Sequence, residues 1–256
     1  MLLRSANATI CVGILAHPLI KMLLSLSPLT IQMILGFLSY MKSILISAFT
    51  LMFSFFSYSQ ERIKVKIETK YGDMVAELYN ETPIHRDNFI NLVEEGFYNG
   101  TLFHRVIPSF MIQGGDPSSK NNSQNTKIGN GGPGYTLPAE FSSKHFHKKG
   151  ALAAARMGDA VNPRKESSGS QFYIVEGKVY DEKTLDDIAR RMGKELTPEQ
   201  KKTYTTIGGT PHLDANYTVF GELVNGFEVI SKISNVTRDK NNLPLDNVMM
   251  NISIIK

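Results

Sequence analysis

One cysteine, Cys11, stands in 256 residues, and tryptophan is absent. Beyond residue 60 the chain has no thiol, so that part can form neither a disulfide nor a thiolate metal site. The lack is compatible with an oxidising compartment. Acidic residues are missing from the first 60 positions, where Arg4, Lys21 and Lys42 are the only Lys or Arg. Taking those three from the 28 Lys+Arg leaves 25 against 24 Asp+Glu in residues 61–256, a formal net charge of +1. The sequence pI of about 9.0 therefore overstates the basicity of that part. No clustered cationic run is present. Lys148-Lys149 and Lys201-Lys202 read as solvated surface pairs, so nucleic acid is not an expected partner. Gly129-Asn130-Gly131-Gly132 lacks the Gly-Lys-Ser/Thr ending of a phosphate loop. Ser168 and Ser170 have no histidine and acid at hydrolase spacing, and His145-Phe146-His147 sits in a Lys-rich loop without a third metal ligand.

What the first 60 residues do contain is apolar. From Met41 the order is Met-Lys-Ser, the apolar run Ile44–Phe53, then small residues at Ser57 and Ser59. A short positive start, an apolar centre of about ten residues and small residues before a cut describe a secretory signal peptide. The run from Ile44 is short of the ~20 residues a membrane span needs. Residues 41–60 are thus expected to be a signal peptide or membrane anchor, and residues 1–40 an extension from an upstream start site. The competing arrangement is an N-terminal hairpin with Leu19–Tyr40 as a first span. No cysteine lies beside the cut, which argues against a lipoprotein anchor.

Residues 61–256 are of ordinary single-domain size, enough to bury a core unaided. Arg62–Glu68 alternates as a half-buried strand, Lys70–Asp73 turns, and Met74–Tyr79 returns. Thr82-Pro83 is a cap followed by proline at the first helical position, with Phe89, Leu92 and Val93 as the buried stripe and Gly96 as the stop. Residues 115–135 read as a long Gly/Asn/Ser loop. Strands are expected near 150–157, 170–176 and 217–224, a helix near 226–234, and a last strand over Val248–Ile255. Many short strands with two separated helices point to an antiparallel barrel or sandwich. Residues 178–208 interrupt that pattern. Thr184–Met192 and Thr197–Tyr204 have helical composition, so 178–208 reads as an inserted helical pair. It is taken as surface decoration, with a partner-binding or substrate-steering element as the alternative.

The chemistry concentrates in Phe103-His104-Arg105-Val106-Ile107-Pro108-Ser109-Phe110-Met111-Ile112-Gln113-Gly114-Gly115-Asp116. Two short alternating stretches join through Pro108, yet Arg105 and Gln113 occupy positions where a core strand would place Val or Leu. Phe110 and Met111 are adjacent, so on a regular strand they would face opposite ways unless the backbone bends. A fixed cation and an amide beside Phe and Met describe a shallow apolar pocket, suited to a small apolar ring on a peptide bond. His104 is expected to pack rather than titrate in catalysis.

This run resembles the active-site signature of the cyclophilins, the peptidyl-prolyl cis/trans isomerases. Ser168–Ile174 is similar to the family's second signature strand, Thr218–Gly221 to its third, and Gly150–Arg156 to its substrate-backbone strand. The resemblance covers about Ile63 to the C-terminus. It implies a mainly β fold, a closed eight-stranded antiparallel barrel capped by two helices, here carrying the inserted pair. It implies Arg105 and Gln113 as catalytic residues, Phe110, Met111, Tyr173 and Leu213 as the proline pocket, and Ala155, Arg156 and Gln171 as the groove for the preceding backbone. His212 and Tyr217 complete the substrate-binding set. Proline-containing polypeptides are the implied partners. Rotation about a peptide bond breaks no bond, so no cofactor and no metal are expected. The expected protein is a monomer, exported and periplasmic, meeting a membrane only if an uncleaved leader anchors it to the inner membrane.

Four positions depart from the best-known eukaryotic pattern. His212 replaces the tryptophan that contacts cyclosporin, so weak cyclosporin binding is expected. Tyr173 replaces a phenylalanine, Arg156 an asparagine and Tyr217 a histidine. A binding module or holdase using the same groove without turnover is the rival reading, and Arg105 separates the two: a binder tolerates its loss.

Overall fold

The computed structural model describes residues 27–55, 61–120 and 128–255. Two compact units divide the chain at Gln60/Glu61. In the first, helix α1 spans Pro28–Phe55. Ser27 caps it, its Oγ accepting from the Thr30 amide at 3.3 Å, and Pro28 takes the first position, where a missing N–H costs nothing. No proline follows to break it, so it runs through Met41 instead of starting there. The 18 residues Pro28–Leu45 are long and apolar enough to cross a membrane, a test that signal sequences near an N-terminus also pass. The positions of Ser57 and Ser59 and the first part of the Leu19–Tyr40 alternative lie outside the described residues.

The second unit begins with β1 (Lys64–Thr69) and β2 (Gly72–Leu78), then α2 (Pro83–Glu94), β3 (Thr101–Leu102), β4 (Arg105–Ile107) and β5 (Met111–Gly114). There follow β6 (Thr136–Leu137), β7 (Ala151–Ala154), β8 (Ser167–Ser168) and β9 (Phe172–Val175). The inserted helices are α3 (Glu182–Met192) and α4 (Pro198–Thr206), and β10 (Val219–Asn225), α5 (Phe227–Ser234) and β11 (Met249–Ile255) complete the chain. Nine strands form one sheet in the order β3-β11-β1-β2-β10-β7-β9-β5-β4, every described pair antiparallel, while β6 and β8 pair separately.

The expected closed eight-stranded barrel is therefore corrected to a curled nine-stranded sheet that does not close. The reason lies at its edges. β3 and β4 are separated in the chain only by Phe103 and His104, yet β3 bonds to β11 and β4 to β5. The backbone steps from one edge to the other in two residues, and two stretches that run into each other cannot form a ladder. Both edge strands are very short, which limits unwanted pairing.

Alternation places the core. Val65 and Ile67 of β1 are fully buried on one face. β9 is covered on both faces: Phe172 and Ile174 join the main core with Phe89, Tyr98 and Phe103, whereas Tyr173 and Val175 join a second cluster with Met111 and Ala153. α2 buries Phe89, Leu92 and Val93, and also His85. Thr82 holds the cap position but makes no side-chain cap bond. The Glu140 carboxylate accepts from the Ile84 and His85 amides instead, at 3.1 and 2.9 Å, a negative charge at a helix N-terminus. Thr197 and Gln200 form a capping box on α4. The inserted pair has a core of its own, Leu185, Ala189, Leu196 and Tyr204 packing with Phe146 and Tyr180. Its inner face is thus packed against the body of the domain through Phe146.

Candidate active site

Hairpin pairing puts Arg105 of β4 directly opposite Gln113 of β5, Gln113 opposite Tyr173 of β9, and Tyr173 opposite Ala153 of β7. Residues directly opposite share a face, so the four side chains form one row across four strands. Between the strands of the hairpin, Ser109 adopts φ 59°, and Glu176 fixes the bend by accepting from the Ser109 amide at 2.7 Å. That turn frees Phe110 from strand alternation. Phe110 and Met111 consequently line the same cavity.

The cavity measures about 100 Å³ and is lined by Arg105, Phe110, Met111, Gln113, Ala155, Arg156, Tyr173, Leu213 and Tyr217. Two sequence-selected residues stand outside it. His212 stacks on Phe110, ring centroids 5.7 Å apart. Gln171 lines an adjoining groove of about 680 Å³, which shares Gln113, Ala155 and Arg156 with the cavity and is otherwise walled by the 129–136 loop and residues 157–168.

Arg105 is half-buried, and among the described residues it forms no salt bridge. Burial pushes its guanidinium below the usual arginine value, partly offset by Tyr217. Its Nη1 donates to Gln113 Oε1 at 3.1 Å, and its Cζ lies 6.0 Å from the Phe110 ring centre. Gln113 Nε2 donates onward to Gln171 Oε1 at 3.1 Å, and Gln171 Nε2 donates to the carbonyls of Gly129 and Gly131 at 3.0 and 2.7 Å. This chain fixes which end of the Gln113 amide faces the arginine. Arg156 is committed elsewhere: it donates to Asn216 O, Met157 O and Asp159 Oδ1, and its Cζ sits 4.5 Å over Tyr217. It therefore acts as a wall.

Asp116 escaped the sequence reading. It is fully buried, and its carboxylate accepts from the amides of Ser118, Gly129 and Gly131. Burial alone would raise its pKa, but those amides outweigh it and hold the carboxyl below its ordinary value. Asp116 thereby ties down the loop from which Gln171 hangs. The one available signal was its place at the end of Gly114-Gly115-Asp116, beyond two glycines. Gly115 has φ +85°, and a Cβ there would meet Ser170 O at 2.4 Å.

The family model for cyclophilin-type peptidyl-prolyl cis-trans isomerases matches residues 64–253. The chain belongs to the cyclophilin family and is a peptidyl-prolyl cis-trans isomerase. Bacterial relatives agree. A Staphylococcus saprophyticus protein named for this activity is 36% identical over 190 residues, covering 73% of this chain and 88% of its own. A Staphylococcus aureus protein of the same description is 36% identical over 195 residues, covering 75% and 90%. A Streptococcus pyogenes protein named as a bifunctional phosphatase/peptidyl-prolyl cis-trans isomerase is 38% identical over 195 residues, but this cyclophilin spans only 37% of it. Among solved structures, a Cryptosporidium parvum cyclophilin superposes with TM-score 0.57 at 27% identity, covering 76% of this chain and 98% of that one. The same Cryptosporidium protein in the presence of the dipeptide Ala-Pro gives TM-score 0.56.

Acid should destabilise this cyclophilin. His85 and His104 are buried, and burial holds both below the ordinary histidine value against the pull of Glu140 and Asp116 respectively. A folded value below the unfolded one means that the unfolded chain takes the proton first as pH falls. Stability is then complete above about pH 6.5 and is lost below it, by up to about 1.4 kcal/mol per group per pH unit. Denaturant midpoints should fall between pH 7.5 and pH 5.5, less steeply in His104→Gln; equal wild-type midpoints would contradict this.

Proposed function

We propose that Arg105 drives the isomerisation by donating to the prolyl nitrogen of an X-Pro bond as that bond twists. The barrier to rotation, roughly 18–20 kcal/mol, arises from conjugation of nitrogen and carbonyl. In the twisted form the nitrogen is pyramidal and its lone pair can accept, whereas in either planar ground state it cannot. A donor placed at that nitrogen therefore binds the transition state selectively. The observation that carries the reading is a half-buried guanidinium with no carboxylate partner among the described residues, held by Gln113 at the rim of a ring-sized apolar cavity. Phe110, Met111, Tyr173 and Leu213 would hold the proline ring, with Tyr217 and His212 flanking it. Ala155, Arg156, Gln113 and Gln171 would hold the residues before it in the adjoining groove. No covalent intermediate and no cofactor enter.

The test is cis/trans exchange on a short Ala-Pro peptide, by NMR or a protease-coupled assay. Strong acceleration by the protein is expected. No acceleration by a folded protein would leave the groove to a binding module.

The clients we infer are exported proteins, met outside the cytoplasm by a monomer. Supporting this are the apolar helix α1, whose 28 residues carry Lys42 as their one charge, and the charge pattern of residues 41–60. N-terminal sequencing of the exported protein should find its start shortly after Ser57 or Ser59. A mature start before Met41 would refute cleavage there.

A further inference from the structure

A buried chain of hydrogen bonds joins the inserted helices to the cavity floor. At its outer end the Tyr204 hydroxyl of α4, fully buried, donates to Asp214 Oδ2 at 2.7 Å. Gln200 Nε2 approaches the same oxygen at 3.4 Å. The other carboxylate oxygen, Oδ1, accepts from the His147 amide at 2.9 Å and meets His147 Nδ1 at 2.8 Å. His147 Nε2 in turn lies 2.9 Å from the hydroxyl of Tyr173, which lines the cavity. Asp214 and Tyr173 are 6% and 4% exposed and His147 is fully buried, so water does not compete for these bonds. Burial raises both tyrosines above their ordinary value, so each hydroxyl keeps its proton. Both ring nitrogens of His147 are thus engaged, Nδ1 with Asp214 and Nε2 with the Tyr173 hydroxyl.

Two walls of the cavity depend on this chain. Asp214 directly follows the 3-10 turn Pro211–Leu213, which carries Leu213 into the cavity and His212 onto Phe110. Tyr217 meets the Tyr173 ring edge-on at 5.9 Å and the His147 ring edge-on at 6.3 Å. The connection is local to the insertion: Tyr180 N donates to Tyr204 O, and Thr210 N donates to His147 O.

We propose that the inserted helical pair positions the proline pocket through Tyr204, Asp214 and His147, which set the height and rotation of Tyr173 and of the Leu213 turn relative to Arg105. These three are positioning residues, since none of them lines the cavity. The proposal rests on the reading of that cavity as the proline site. Its chemistry follows from geometry: a ring seated against a displaced floor presents its nitrogen off the line of the arginine donors, and small misplacements of a reacting atom are costly.

The experiment is a double-mutant cycle in the protein, with kcat and KM resolved on an Ala-Pro peptide and melting temperature measured alongside. Tyr204→Phe keeps the ring that packs edge-on against Phe146 and removes only the donor. It is expected to lower kcat by about tenfold with KM little changed, and to shift the His147 ring nitrogen resonances. Tyr173→Phe breaks the other end, and the double variant should be no slower than the slower single one, because both act through one chain. A Tyr204→Phe enzyme within twofold of wild-type kcat overturns the proposal, as does a double variant whose loss is the product of the two. Should Tyr204→Phe not fold, Gln200→Leu, which removes the second donor to Asp214, is read in its place for a smaller loss of kcat, and no loss overturns the proposal. Failure of the pocket reading looks different: Arg105→Ala would then leave the rate unchanged, whereas failure of the relay leaves the Arg105 effect intact.

Discussion

Arg105→Ala is expected to lower kcat/KM on an Ala-Pro peptide by about 10²–10³-fold, the usual cost of deleting one preorganised donor at a site of developing electron density. The loss should fall on kcat, since a planar prolyl nitrogen offers the guanidinium nothing to bind in the ground state. Stability should change by no more than about 1 kcal/mol, because Arg105 is half-buried and gives up one hydrogen bond, to Gln113. Arg105→Lys keeps a cation but not the planar fork that Gln113 holds in register, so it should recover only part of the rate. An alanine variant within tenfold of wild type would remove Arg105 from the mechanism. Gln113→Ala should be milder, since it releases the arginine without removing it.

Phe172→Ala is expected to destabilise the fold by about 3–5 kcal/mol, a large share of the 5–15 kcal/mol typical of a domain. Phe172 is 1% exposed. Its ring meets Phe89, Tyr98 and Phe103 edge-on, at centroid distances of 5.5, 5.6 and 6.3 Å. Such contacts add to the area buried, and truncation leaves a cavity walled by large rings that cannot collapse without moving α2. Phe172→Leu should lose less, because it fills part of the volume. Guanidinium titration measures both, and a loss below about 1 kcal/mol for alanine would mean that the cluster repacks. Activity should fall alongside stability, since Gln171 immediately precedes Phe172 in the chain and Tyr173 follows it on β9.

Much of this architecture was legible locally. The alternation of Arg62–Glu68 follows from the two-residue period of a strand, and Thr82-Pro83 and Thr197-Pro198 mark helix starts through backbone groups that need capping. The inserted helices were found within two residues of their ends, from helical composition, although Asp181, which caps the first of them, lies outside the stretch read as helical. The cavity residues were identifiable because Arg105 and Gln113 break an apolar pattern, in a run whose resemblance to a family supplied the register.

What was not legible depends on groups far apart in the chain. The first amides of α2 are satisfied by Glu140, 55 residues beyond His85, so Thr82-Pro83 located the helix and its cap position but not the group that accepts from those amides. The bend that places Phe110 and Met111 on one cavity requires Glu176, 67 residues beyond Ser109. Asp116 and the His147–Asp214 pair, polar groups of unremarkable local context, acquire partners only after the strands have paired. The edges of the sheet were decided in the same way, by which neighbours β3 and β4 could reach. Residue order alone determined the longer strands and the helices of residues 61–256 and the cation beside an apolar pocket, because periodicity, capping and side-chain chemistry are properties of short segments. The two-residue strands β6 and β8 were not legible. Tertiary structure decided the open sheet, the orientation of Gln113 and the link from the insertion to Tyr173, because a buried hydrogen bond is set by the one arrangement that satisfies both of its ends at once.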